Sequence, residues 1–244
     1  MKQKLLFILV LFILFFTYQC NSRNLRIAAS IGEIKKVRIY LNEKTNTENA
    51  SFSGETPIIL AAKFGFAEIV KLLIKANANI EAKDNEGKTA LFWAIKNRYI
   101  EVTKILLEAK ADINTRTNLN VTPLAIASTN GNLEIIKLLV QHNPDPNIAG
   151  NSGLTPLMLS SLKGYLEITK LVLSLGSDVN MQDNQGMTAI MYAAKNGRHE
   201  IFKLLLEKNS NLNLKDKNDR TVEDFAAEYG QSEVMILLLE HGEK

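Results

Sequence analysis

A single cysteine, Cys20, stands in a chain of 244 residues, so an internal disulfide and a cysteine-built zinc cluster are both excluded. Five prolines and thirteen glycines leave no room for a collagen-like or proline-rich chain. Neither sign of charge dominates. Setting Lys2 and Lys4 aside, as argued below, leaves 27 basic residues against 26 acidic ones, a poor argument for nucleic-acid binding, which calls for a clustered basic face. The apolar run that a membrane-spanning helix requires is also missing, since Leu5–Phe16 is only twelve residues long. No G-x-x-x-x-G-K-[ST], G-x-G-x-x-G or G-x-S-x-G occurs, which removes the familiar phosphate-cradling and nucleophile-elbow chemistries. What remains, 46% hydrophobic and 23% charged, is the composition of a packed globular chain of one or two domains.

The N-terminus reads Met-Lys-Gln-Lys, then the apolar run, then Thr17, Tyr18, Gln19 and Cys20 before polar sequence begins. A positive n-region followed by a short apolar h-region marks a secretory signal peptide, assigned here to residues 1–22. The segment resembles a bacterial lipoprotein signal, which implies lipidation at Cys20, although Gln19 stands where Gly, Ala or Ser is usual. Ordinary cleavage after Ser22, with Cys20 and Ser22 as the small residues, is the alternative.

Residues 23–244 carry an internal repeat. Thr recurs at 56, 89, 122, 155, 188 and 221, always at a spacing of 33, as in Thr56-Pro57-Ile58 and Thr122-Pro123-Leu124. Twelve residues past each Thr stands a glutamate (Glu68, Glu101, Glu134, Glu167, Glu200, Glu233), followed by a β-branched residue and an aliphatic cluster. Thr suits a helix N-cap, Pro the first helical position, and Gly65 or Gly131 a helix end in the left-handed region. The chain thus resembles the ankyrin repeat family from about residue 24 to 242. That resemblance implies an all-α solenoid of stacked helix-turn-helix units with β-hairpin loops. An N-terminal cap is expected over 24–47, repeats from about 49, 82, 115, 148 and 181, and a C-terminal cap from about 214, where Glu223 and Asp224 replace core residues.

Several positions depart from the family pattern. Its Thr-Pro-Leu-His histidine is absent throughout, replaced by Ile59, Phe92, Ala125, Met158, Met191 and Asp224, so packing is expected to do its work. Arg98 occupies a glycine position and predicts a strained helix end. Pro146 removes an amide donor after Asp145, predicting the loosest junction of the array between 140 and 150.

Candidates for chemistry are few. His142 and His241 fall three repeats apart, roughly 30 Å if helices pack at the usual spacing. His199 has no His or Cys beside it in phase, and Trp93 shares the phase of Leu60, Ile126, Leu159, Tyr192 and Phe225, a core position. We therefore expect no catalysis, no metal, no cofactor and no nucleic-acid partner. Family resemblance implies a monomeric scaffold that binds a protein, here at the cell envelope after export, with membrane contact through an N-terminal lipid. A periplasmic accessory that binds a small molecule or lipid in support of an envelope or oxidative-stress enzyme is the alternative. Binding residues of the family tend to lie at loop tips, just before the Thr, and at the end of the first helix. In the central repeats the pre-Thr residues are Val121, Leu154 and Met187, with Leu119 and Leu162 extending an apolar centre. Lys63, Lys96, Asn97, Asn130, Lys163, Lys195 and Asn196 form a polar rim, the usual anatomy of a protein interface.

Overall fold

The computed structural model describes residues 21–242. Leu5–Phe16 and Cys20 lie outside the described residues. Among those described, the chain is helical with no strand, and it divides into two compact units, one ending at Asp112 and the other starting at Ile113.

The first unit contains α1 (residues 21–30), α2 (Ile34–Asn42), α3 (Pro57–Lys63), α4 (Ala67–Lys75), α5 (Ala90–Lys96) and α6 (Ile100–Glu108). The second contains α7 (Pro123–Asn130), α8 (Leu133–Val140), α9 (Pro156–Lys163), α10 (Leu166–Ser174), α11 (Ala189–Lys195), α12 (His199–Glu207), α13 (Val222–Glu228) and α14 (Ser232–Gly242). Within each unit, first helices pack on first helices and second helices on second helices, as α3 on α5 and α8 on α10. The buried stripe Ile69, Val70 and Leu73 of α4 follows the i, i+1, i+4 spacing that one helix face provides.

Local chemistry sets the helix starts. Thr89, Thr122, Thr155, Thr188 and Thr221 each accept a hydrogen bond from the amide three residues on, whereas the buried Thr56 hydroxyl makes no such bond. The missing family histidine is replaced by more than packing. Met158 Sδ accepts from the Thr155 amide at 3.5 Å, Met191 Sδ from Thr188 at 3.4 Å, and Asp224 Oδ2 from Thr221 at 2.7 Å. Arg98 does take the left-handed conformation, at φ 64°, in the phase where Gly65 sits at φ 79° with the Tyr99 ring only 2.6 Å from where a Cβ would be.

The loops between repeats narrow to tight turns closed by a bond from the amide of residue i to the carbonyl of i+4 and another from i+3 back to i, such as Asp84 N to Lys88 O at 3.0 Å and Gly87 N to Asp84 O at 2.9 Å, rather than by a strand ladder. Two sets of bonds link successive loops. At the tips, the Asn85 amide donates to Ser53 O in the first unit, and the Asn151 amide to Leu119 O in the second, both at 3.0 Å. At the loop bases a side chain eight residues before each of the first five Thr accepts the amide of a residue 31 further on. Glu48 and Glu81 accept from Asn79 and Asp112, and Asn114, Asn147 and Asn180 accept from Asp145, Asp178 and Asn211, at 2.8–2.9 Å.

The two prolines act differently from expectation. At positions equivalent to Pro144, the amides of Ala78, Ala111 and Ser210 bond back to Leu73, Leu106 and Leu205, and at Ser177 the hydroxyl reaches Val172 O. Pro144 has no N–H and forfeits that bond, so the lost donor belongs to Pro144. Pro146 is buried, and the Asp145 amide between the prolines still reaches Asn114.

Candidate protein-binding surface

Each loop is stapled from within before it presents anything outward. Asp84 Oδ1 accepts the amides of Glu86 and Lys88, and its Oδ2 takes the Trp93 indole N–H at 2.8 Å. In the second unit Asp183 repeats the pattern, accepting from Gln185 and Met187 and from the Tyr192 hydroxyl. Burial first, and then the bond to Asp183, push the Tyr192 hydroxyl pKa well above its ordinary value. Asp216 accepts from the amides of Asn218 and Arg220 and pairs with the Arg220 guanidinium at 2.8 Å.

In the first unit the first-helix side is cationic and aromatic. Trp93 is 9% exposed, as its core phase implied, and its ring is ringed by ammonium groups: Lys63 at 4.3 Å, Lys88 at 4.7 Å and Lys96 at 4.7 Å from the centroid. Glu55 pairs with Lys63 and Glu86 with Lys88, each at 2.6 Å. Burial opposes ionisation of Glu55, but bonds from Lys63, Ser53 and Ser51 outweigh it and hold its carboxyl below the usual range. Phe52 at a loop tip and Phe64 at the end of α3 are exposed. The Asn97 side chain donates to Lys63 O at 2.7 Å, tying α5 to α3, so this rim residue has a structural bond.

In the second unit several of the corresponding positions are apolar, although Lys195 and Arg220 again stack on aromatic rings. Leu119, at the tip of its loop, is 64% exposed, and Val121, Leu154 and Leu162 are half-buried. Met187 is only 5% exposed and offers a partner little area. Around them Lys163 is exposed and Asn130, Lys195 and Asn196 are half-buried. Lys195 Nζ lies 5.1 Å from the Tyr229 ring centroid, and the Asn196 side chain donates to Tyr192 O. The expected patch therefore falls on both units: Lys63, Lys96 and Asn97 on the first, the remainder on the second.

The three histidines are exposed, and His199 Nδ1 lies 2.7 Å from Glu233 Oε2. Among the described residues no group of three or more His, Cys, Asp or Glu is placed to hold a metal ion. No helix among them is long and apolar enough to cross a membrane.

Sequence position had not singled out Phe52, or the convergence of three lysines on Trp93. Phe52 is fully exposed at a loop tip, the place where an exposed aromatic is a signal in its own right. Comparison with known proteins agrees with this architecture. The family described as ankyrin repeats (3 copies) matches residues 25–117, 115–183 and 168–244, and the chain belongs to the ankyrin repeat family. Among solved structures it is similar to the ankyrin repeat domain of Bcl-3, a member of the IkappaB protein family. That match has 24% identity and a TM-score of 0.77, covering 86% of this chain and 97% of that one. No curated protein sequence matches it.

Proposed function

We propose that this protein is a non-catalytic scaffold that works at the cell envelope, exported by its N-terminal segment and binding another protein through the loop tips and first helices. The observation that carries the reading is the row Leu119, Val121 and Leu154 in the second unit. These residues sit at or beside successive loop tips, half-buried to exposed, and Leu162 follows on a first helix. Apolar groups held on rigid loops with charged and amide neighbours give an interface its desolvated centre and wet rim. Membership of a family whose repeats generally mediate protein–protein interaction supports the same reading.

Replacing Leu119, Val121 and Leu154 together with Glu tests it. The expected outcome is loss of partner capture by in-cell cross-linking, with a melting temperature close to that of the parent. Unchanged capture contradicts this surface, and a large loss of thermal stability assigns the three residues to the core instead. Export and anchoring are tested separately with a clickable fatty acid: label on the parent and none on Cys20→Ala supports a lipid anchor, and absence of label on both points to cleavage after Ser22.

A further inference from the structure

Three ammonium groups within 5 Å of one indole centroid repel one another, and their arrangement is held by the ring face and by the carboxylates near it. Of those carboxylates, Asp84 has both oxygens engaged, by two amides of its own turn and by the Trp93 indole. Glu55 is held by Ser51, Ser53 and Lys63. Glu86 differs from both. It projects from the loop tip with its side chain 69% exposed, yet it caps Lys88, whose own side chain is only 12% exposed. Here a solvent-facing carboxylate satisfies a largely covered ammonium, so a carboxylate arriving from outside can take that role without burying a new charge unpaired. Phe64, the residue after Lys63 at the end of α3, leaves an aromatic ring exposed. Lysines around an aromatic, with an exposed ring one residue along the chain from one of them, suit a carboxylate-bearing chain that also carries an apolar side chain.

We propose that the Lys63–Lys88–Lys96 face around Trp93 receives the carboxylates of an acidic segment of the partner protein, with Phe64 taking an adjoining apolar side chain. This rests on the scaffold reading above and names the chemistry of the partner.

Trp93 is the chain's only tryptophan and lies under the site, so its fluorescence reports occupancy directly. The probe is a short Glu-Gly-Glu-Leu repeat peptide titrated into the full-length protein, with a Gln-Gly-Gln-Leu peptide, inorganic phosphate and anionic phospholipid vesicles as comparisons. A saturable change in Trp93 emission is expected with the glutamate peptide alone. Lys96→Glu, at an exposed position, should weaken it about tenfold, one pair lost and one repulsion gained. Lys75→Glu, on the exposed side of α4, should leave it unchanged. An equal response to the glutamine peptide, a tighter response to phosphate or to vesicles, or indifference to Lys96→Glu overturns the proposal. Cross-linking in the native cell separates this result from the scaffold reading. A partner captured equally by the parent and by Lys96→Glu overturns the acidic-segment proposal and leaves the scaffold standing, whereas capture of no protein at all overturns the scaffold itself.

Discussion

At Lys110 the backbone runs at φ 65° on an exposed loop, a conformation in which a Cβ crowds its own carbonyl at a cost of roughly 1 kcal/mol. The equivalent position is Asn77 in the preceding repeat, Asn143 in the next and Gly176 in the one after that, all in the left-handed region. Lys110→Gly should raise the unfolding free energy by about 0.5 kcal/mol once the extra freedom of the unfolded chain is set against the strain removed. A chemical-denaturation curve checks this, and a destabilised variant would contradict it. At Asp216, burial works against ionisation, but the Arg220 guanidinium and the amides of Arg220 and Asn218 outweigh it and hold the carboxyl below its usual range. A lowered native pKa contributes stability above the unfolded value of about 3.9 and loses it as pH falls through the native value. Asp216→Asn should therefore cost about 1–2 kcal/mol at neutral pH and flatten the fall of melting temperature between about pH 4 and 2. A variant that loses stability with acid as steeply as the parent would contradict this assignment.

At the scale of elements, stability rests on bonds that join one loop to the next as much as on helix packing. Asn147 Oδ1 accepts the Asp178 amide at 2.9 Å. Asn147→Ala leaves that amide without its acceptor, and we expect a loss of about 1 kcal/mol with faster hydrogen exchange at Asp178. Unchanged exchange there would show the bond to be dispensable. Pro144 predicts a related effect, because the end of α8 lacks the bond back to Leu139 that Ala78, Ala111 and Ser210 make to their own helices. Amides of residues 141–143 should exchange faster than those of the equivalent residues 75–77. Most of this architecture was legible in the 33-residue phase, because Thr, Pro and the aliphatic pairs each answer a local demand of helix capping or burial. The loop-base clamp was not. Its acceptor is Glu in two repeats and Asn in three, and only the fold reveals that carboxylate and amide oxygens serve one geometric purpose. The sulfur acceptors Met158 and Met191 were hidden for the same reason, since residue type alone suggested packing.

At the scale of the whole chain, the pre-Thr position is charged at Glu55, Lys88 and Arg220 and apolar at Val121, Leu154 and Met187, a difference already visible in the repeat phase. Phase located the pre-Thr position but not the direction of its side chain. Val121 and Leu154 stay half-exposed, whereas Met187 is covered. Nor did it reveal that Lys63, Lys88 and Lys96 meet at one ring, because they come from two repeats and two different phases. The most direct test of the scaffold reading is site-specific photo-cross-linking in the native cell. One photoreactive residue is placed at position 119 on a loop tip, and another at 137 on the exposed side of α8. A discrete protein adduct from position 119 and none from position 137 is the predicted result. No adduct at 119, or equal adducts at both positions, would contradict a partner bound through the loop tips and first helices.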